Sequence, residues 1–286
     1  MNIKILSDSA CDLPQELIDK YDIDILPLIV TKDGKEYLEE IDISSDEVYK
    51  GMRNGEVYKT AQIPANTFQN KFEEYAKSGR KVIYLAFSSG LSGTYQTSLL
   101  VKDNVMEQYP DLDLEIIDTK AASGGFGSIV LRVAKLAKEG KSKKELIDAA
   151  NLYINTIRHI FTVDNIEYLF RGGRVTRTQA FIGGILNIKP ILHVDEKGKL
   201  VPLEKVRGKS KLLKRMLQLI EEETKGVNLK DQTIIITHGD DLKTASKMKE
   251  LIKEKFGVEK FIINTIGATI GAHSGPGTLA VYFYNQ

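Results

Sequence analysis

KVIYLAFSSGLSGTYQTSLLVKDNVMEQY, residues 81 to 109, decides the fold. A continuous apolar run, KVIYLAF, ends in a turn of small hydroxylated residues and glycines and passes into an amphipathic stretch with the 3.6-residue period of a helix. An apolar strand leading through a tight turn into a helix is the unit of a mainly parallel sheet covered on both faces. The same grammar appears on both sides. NIKILSDS reads as a strand, PQELIDKY as a helix opened by Pro14, and IDILPLIV as a second strand. LEIIDT (114–119) reads as another strand, followed by the helical SIVLRVAKLAKEG and a further helix around KKELIDAANLYINTIRH.

Past about residue 155 the pattern changes. IKPILHVDEKGKLVPLEKVR reads as two strands around an acidic, glycine-containing turn, so antiparallel pairing begins there. Helix SKLLKRMLQLIEEETK, strand TIIITH, helix LKTASKMKELIKEKF and strands KFIINTI and TLAVYFY complete that half. The expected fold class is α/β, with an N-terminal mainly parallel sheet flanked by helices over residues 1–155. A second α+β domain with antiparallel strands is expected over 156–286. No Pro/Ser-rich linker separates the halves, which predicts a broad contact with a cleft in it.

Lys plus Arg number 40 against 39 for Asp plus Glu, a formal charge of +1 that argues against a dedicated nucleic-acid surface. The basic run KEGKSKKE (138–145) is read as a solvated helix junction. MNIKILSDSACD lacks a long apolar leader segment, and no stretch is long enough to cross a bilayer, so a cytoplasmic protein with at most transient membrane contact is expected. Cys11 is the one cysteine; it rules out an internal disulfide framework and is read as a small buried hydrophobe. His159, His193, His238 and His273 are dispersed without metal-ligand spacing, so no metal is expected.

Several motifs fail on inspection. Gly90, Leu91, Ser92 and Gly93 fit a nucleophile elbow, but Thr94 stands where its last glycine belongs. Two GKS tripeptides lack the P-loop glycine five positions earlier, where Lys135 and Leu203 stand. GPGTLA (275–280) imitates a dinucleotide fingerprint but runs into the strand-like VYFY. Four polar, glycine-containing or hydroxylated stretches survive: KTAQIP (59–64), SSGLSGTY (88–95), FRGGR (170–174) and GATIGAHSGPGT (267–278). The second lies at the C-terminal end of a strand and opens a helix, where open α/β sheets bind ligands and free N–H groups favour an anion. Ser92 there is read equally well as a helix cap.

SDSACDLP, KTAQ, SSGLSGTY, DTKAASGG, LFRGGR, GILNIKPIL and GAHSGPGT, in this order, resemble the DegV family of bacterial fatty-acid-binding proteins over essentially the whole chain. The resemblance implies a two-domain carrier, not an enzyme, that buries one long-chain fatty acid and needs no cofactor. It also implies delivery to a separate ATP-dependent fatty acid kinase, which forms acyl phosphate for phospholipid synthesis. Carried across, the carboxyl group falls to Thr60 and Ser92, with Gly93 offering backbone and His273 beside them; Arg171 and Arg174 fall on the kinase-docking face. The family's T-S-Q reads Thr60, Ala61, Gln62 here, which removes one hydroxyl.

A buried carboxylate needs several hydrogen bonds. Neutral donors, without a permanent cation, would leave its oxygens free to react, and apolar burial of the chain would supply the rest of the affinity. Phe87, Leu91, Phe161, Phe170, Ile182 and Ile188 are candidates for the tunnel wall. The rival readings are a serine hydrolase or acyltransferase using Ser92 with His273, and a kinase fragment, which the lack of a P-loop disfavours.

Overall fold

The computed structural model describes residues 3–180 and 188–286. The chain opens with β1 (Lys4–Asp8), a single 3-10 turn, α1 (Gln15–Lys20) and β2 (Ile23–Leu26). Next come β3 (Ile29–Lys32), β4 (Lys35–Leu38), α2 (Ser45–Arg53), β5 (Lys59–Ala61) and α3 (Ala65–Ser78). The opening stretch of the sequence analysis supplies β6 (Val82–Ala86) and α4 (Thr94–Gln108), followed by β7 (Leu114–Asp118), α5 (Ser123–Lys138) and α6 (Lys143–Thr156). β8 (Ile157–Thr162), α7 (Glu167–Arg171), α8 (Arg177–Ala180), β9 (Ile188–Val194), β10 (Leu200–Arg207) and α9 (Lys209–Glu223) follow. The chain finishes with β11 (Thr233–His238), α10 (Leu242–Phe256), β12 (Lys260–Thr265), α11 (Ala268–Ser274) and β13 (Leu279–Tyr284).

Three sheets result. β2-β1-β6-β7 is wholly parallel, its strands joined by helices as the buried apolar runs require. β10-β9-β8-β13-β11-β12 is antiparallel except for the β11–β12 pair. β4-β3-β5 is a small antiparallel sheet.

The two-residue period of β13 shows how the large sheet is used. Leu279, Val281 and Phe283 pack with α9 and α10 residues such as Met216 and Met248. Ala280, Tyr282 and Tyr284 face the other way, into a core shared with Leu6, Leu85 and Phe126 of the first layer. One hydrophobic core therefore bridges the parallel sheet and the six-stranded sheet.

Three expectations are corrected. IDILPLIV is not one strand, because Pro27 has no N–H for a ladder; β2 stays in the parallel sheet and β3 joins the small one. The helix expected through His159 stops at Thr156, where Ile157 turns extended and IRHIFT becomes β8. α5 begins at Ser123, ahead of the expected SIVLRV, and takes in three glycines that helix propensity would reject. They are needed there: a side chain at Gly125 would start 2.3 Å from His159 Nε2, and one at Gly127 2.2 Å from the Cys11 carbonyl oxygen. GATIGAH, one of the four glycine-containing or hydroxylated stretches noted in the sequence, forms α11. The basic run 138–145 is the junction expected: α5 ends at Lys138, and Ser142 with Glu145 makes a capping box for α6.

Candidate functional site

The C-terminal ends of the parallel strands lead into the functional turns: residues 87–93 after β6, 119–122 after β7, and the SDSACD turn after β1. Buried carboxyl groups hold these turns in place. Asp8 Oδ2 accepts the backbone N–H of Phe87 and the hydroxyl of Tyr84, both at 3.0 Å, so it fixes the exit from β6. Asp12 accepts the Ser123 hydroxyl at 2.5 Å and the Gly267 N–H at 2.9 Å, tying α5 to the entry of α11. Glu39 accepts from Ser9 Oγ at 2.5 Å and from the Thr269 N–H at 2.6 Å. Desolvation raises all three carboxyls above their ordinary range, Asp8 to about 7. Cys11, between them, is buried as expected, and desolvation pushes its thiol up as well.

Over these turns lies a cavity of about 770 Å³, counting the part that opens to solvent. Its wall is mostly apolar, with Leu28, Phe87, Leu91, Phe161, Leu169 and Leu200 drawn from all three sheets and their connections. Among the expected tunnel residues Phe87, Leu91 and Phe161 line it; Phe170 and Ile188 do not. Phe170 packs against the main core while its neighbour Leu169 takes the cavity side. Ile188 pairs with Arg207, at the opposite end of the β9–β10 hairpin from the lining residues Val194 and Leu200. Ile182 and the first half of GILNIKPIL lie outside the described residues.

Thr60, Ser92, His273 and Arg174, more than 200 residues apart at their extremes, all line this one cavity. Thr60 Oγ1 lies 2.7 Å from His273 Nε2. The other ring nitrogen of His273 packs against FRGGR: a side chain at Gly172 would start 1.9 Å from Nδ1, so only glycine admits the imidazole. Burial, then the guanidinium charges of Arg174 and Arg171, push His273 down to about 3, leaving it neutral. Arg174 Nε donates to the Leu91 carbonyl at 3.0 Å, which bonds FRGGR to the residue before Ser92. Ser92 Oγ accepts the N–H of Thr94 at 3.2 Å and lies 2.8 Å from its hydroxyl, so it does act at the start of α4. Gly93 is the residue from which α4 departs, and Gln62 lies against it while donating to Thr97 Oγ1 at 2.7 Å. Arg171 is exposed and lies 5.1 Å from the Tyr168 ring centre.

The expectation of a polar end made only of neutral donors is not met. Arg174 is half-buried in the same wall, and its loss of solvent lowers its affinity for its proton. Thr269 and Ser274 were not singled out from sequence, whereas Thr94 stood out as a hydroxyl of SSGLSGTY and Gln62 as the last residue of the T-S-Q match. The hydroxyls of Thr269 and Ser274, both on cavity-lining residues of α11, have no hydrogen-bond partner among the described residues. Among those residues, too, no helix is long and apolar enough to cross a membrane.

Fold and site together define a mixed α/β protein with a largely apolar cavity whose wall also carries hydroxyls, two neutral imidazoles and one guanidinium. Comparison with known proteins finds the same fold elsewhere. Residues 2–286 match the model of the DegV family, described as uncharacterised proteins, and the chain belongs to that family. It is 42% identical over 281 residues to a DegV domain-containing protein of Clostridium perfringens, covering 98% of this chain and 96% of that one. A DegV family protein from Thermus thermophilus, whose solved structure is described by its fatty acid binding, superposes with a TM-score of 0.89 at 29% identity over 100% of both chains. DegV from Bacillus subtilis, described as a fatty acid binding protein, gives 0.85 at 31% identity over 99% of both.

Proposed function

We propose that the chain binds one long-chain fatty acid, with the hydrocarbon in the apolar cavity and the carboxylate at the polar end. Thr60 and Ser92 hydrogen-bond it, with His273 bonded to Thr60 and backbone at Gly93 beside them. The observation that carries this is the convergence of Thr60, Ser92 and His273 on a single greasy cavity. The fatty acid binding described for the Thermus and Bacillus relatives supports the ligand class. In the same proposal residues 1–155 and 156–286 act as two domains that close on the acyl chain. The protein is a carrier that performs no chemistry alone and presents the carboxylate to a separate ATP-dependent kinase for acyl-phosphate formation and phospholipid synthesis. Arg171, exposed, contributes to docking that kinase, and Arg174 meets it from the cavity wall.

The geometry favours this over a Ser92–His273 hydrolase. His273 Nε2 is engaged by Thr60 and its Nδ1 faces Gly172, while Ser92 is bonded to Thr94, so the serine and the imidazole do not form a nucleophile–base pair. Organic extraction of the purified protein should release about one fatty acid per chain, and an electrophilic serine probe should leave Ser92 unlabelled. A labelled Ser92 with no lipid would reject the carrier. Arg174→Ala should retain the lipid yet lose transfer of phosphate to it; loss of lipid instead would assign Arg174 to ligand binding alone.

A further inference from the structure

Thr94 is fully buried, and the Ser92 oxygen is the one hydrogen-bond partner of its hydroxyl among the described residues. A hydroxyl carries a single proton and two lone pairs. Were Ser92 to donate to Thr94, the proton of Thr94 would be left in the interior without an acceptor, a costly arrangement. With Thr94 donating, both groups are served. The Ser92 oxygen then receives the Thr94 N–H and the Thr94 O–H together, which fills its acceptor sites and leaves its own proton to point elsewhere. Ser92 lines the cavity, so that proton has the cavity to point into.

We propose that Thr94 is a positioning residue: its hydroxyl fixes Ser92 as a hydrogen-bond donor toward the cavity before any ligand arrives. This rests on the fatty-acid reading, in which the acceptor is the ligand carboxylate. A donor that is itself receiving two hydrogen bonds is also more polarised, so Thr94 strengthens the bond Ser92 makes. Gln62, bonded to Thr97 one turn along α4 and lying against Gly93, holds the same turn in place.

Calorimetry with palmitate and with 1-hexadecanol, which has the chain but no carboxylate, tests this on the full chain. Thr94→Val is expected to weaken palmitate binding about tenfold, and Thr94→Ser, which keeps the hydroxyl, by no more than about twofold. Hexadecanol affinity should stay within about twofold in both, and adding Thr94→Val to Ser92→Ala should cost palmitate less than about twofold, because the pair acts as one unit. A loss that persists undiminished in the Ser92→Ala background, or that falls equally on hexadecanol, overturns the role. If Thr94→Val does not fold, Thr94→Ala against Thr94→Ser makes the same comparison. A wild-type protein that binds no palmitate would overturn the carrier reading itself, and the Thr94 role with it; failed coupling in a protein that does bind overturns the Thr94 role alone.

Discussion

Asp8→Asn is the substitution whose effect follows most directly from the geometry. The carboxyl is fully buried, and among the described residues Oδ2 accepts from the Phe87 N–H and the Tyr84 hydroxyl while Oδ1 has no hydrogen-bond partner. Desolvation raises its folded-state value from 3.8 to about 7, the carboxyl of the unfolded chain keeping the lower value. A raised acid favours folding while it holds its proton, so this contribution is fully present below the unfolded value and is lost as pH rises through the folded one. Between about pH 5 and pH 8 the loss is about 3 kcal/mol. The amide keeps a carbonyl oxygen for the Phe87 N–H and the Tyr84 hydroxyl and cannot ionise. Urea unfolding at the two pH values should therefore show the variant losing about 3 kcal/mol less stability than the wild type across that range. Equal slopes in the two proteins would refute the assignment of a protonated, structural Asp8.

The ligand proposal makes two quantitative statements. Laurate has four fewer methylenes than palmitate and should bind about 3 kcal/mol more weakly in competition calorimetry; equal affinities would mean that the chain is not buried. Ser92→Ala should weaken palmitate binding by about 1 to 3 kcal/mol. The Thr60→Ala, Ser92→Ala double variant should lose more, and undiminished retention of ligand in it would reject the site.

What the sequence made legible was whatever local pattern controls. The strand–turn–helix at 81–109 and the helix at 242–256 stand close to where periodicity put them, because their apolar spacing matches their final burial. What escaped was decided by partners distant in the chain. β5 is three residues long and exists because Thr60 and Ala61 pair with Val30 and Ile29. α11 holds its short helix with Tyr49 donating to the Ile266 carbonyl and Glu39 receiving the Thr269 N–H, contacts from more than 200 residues away. Asp8, Asp12 and Glu39 look like surface acids in a sequence, since unpaired carboxylates are rarely buried; only the fold supplies their hydroxyl and N–H donors. Ser92 and Thr94 stood out as hydroxyls of the turn after β6, and Thr60 and His273 were reached through resemblance to a family's motifs, while the support that Thr94 and Gln62 give that turn became visible only with coordinates.

The most direct test is a crystal structure of the protein grown with palmitate. The proposal predicts one molecule per chain, its carboxylate oxygens about 3 Å from Thr60 Oγ1 and Ser92 Oγ and its chain running past Phe87, Leu91 and Phe161. An unfilled cavity at saturating palmitate, or a carboxylate held away from both hydroxyls, would contradict it.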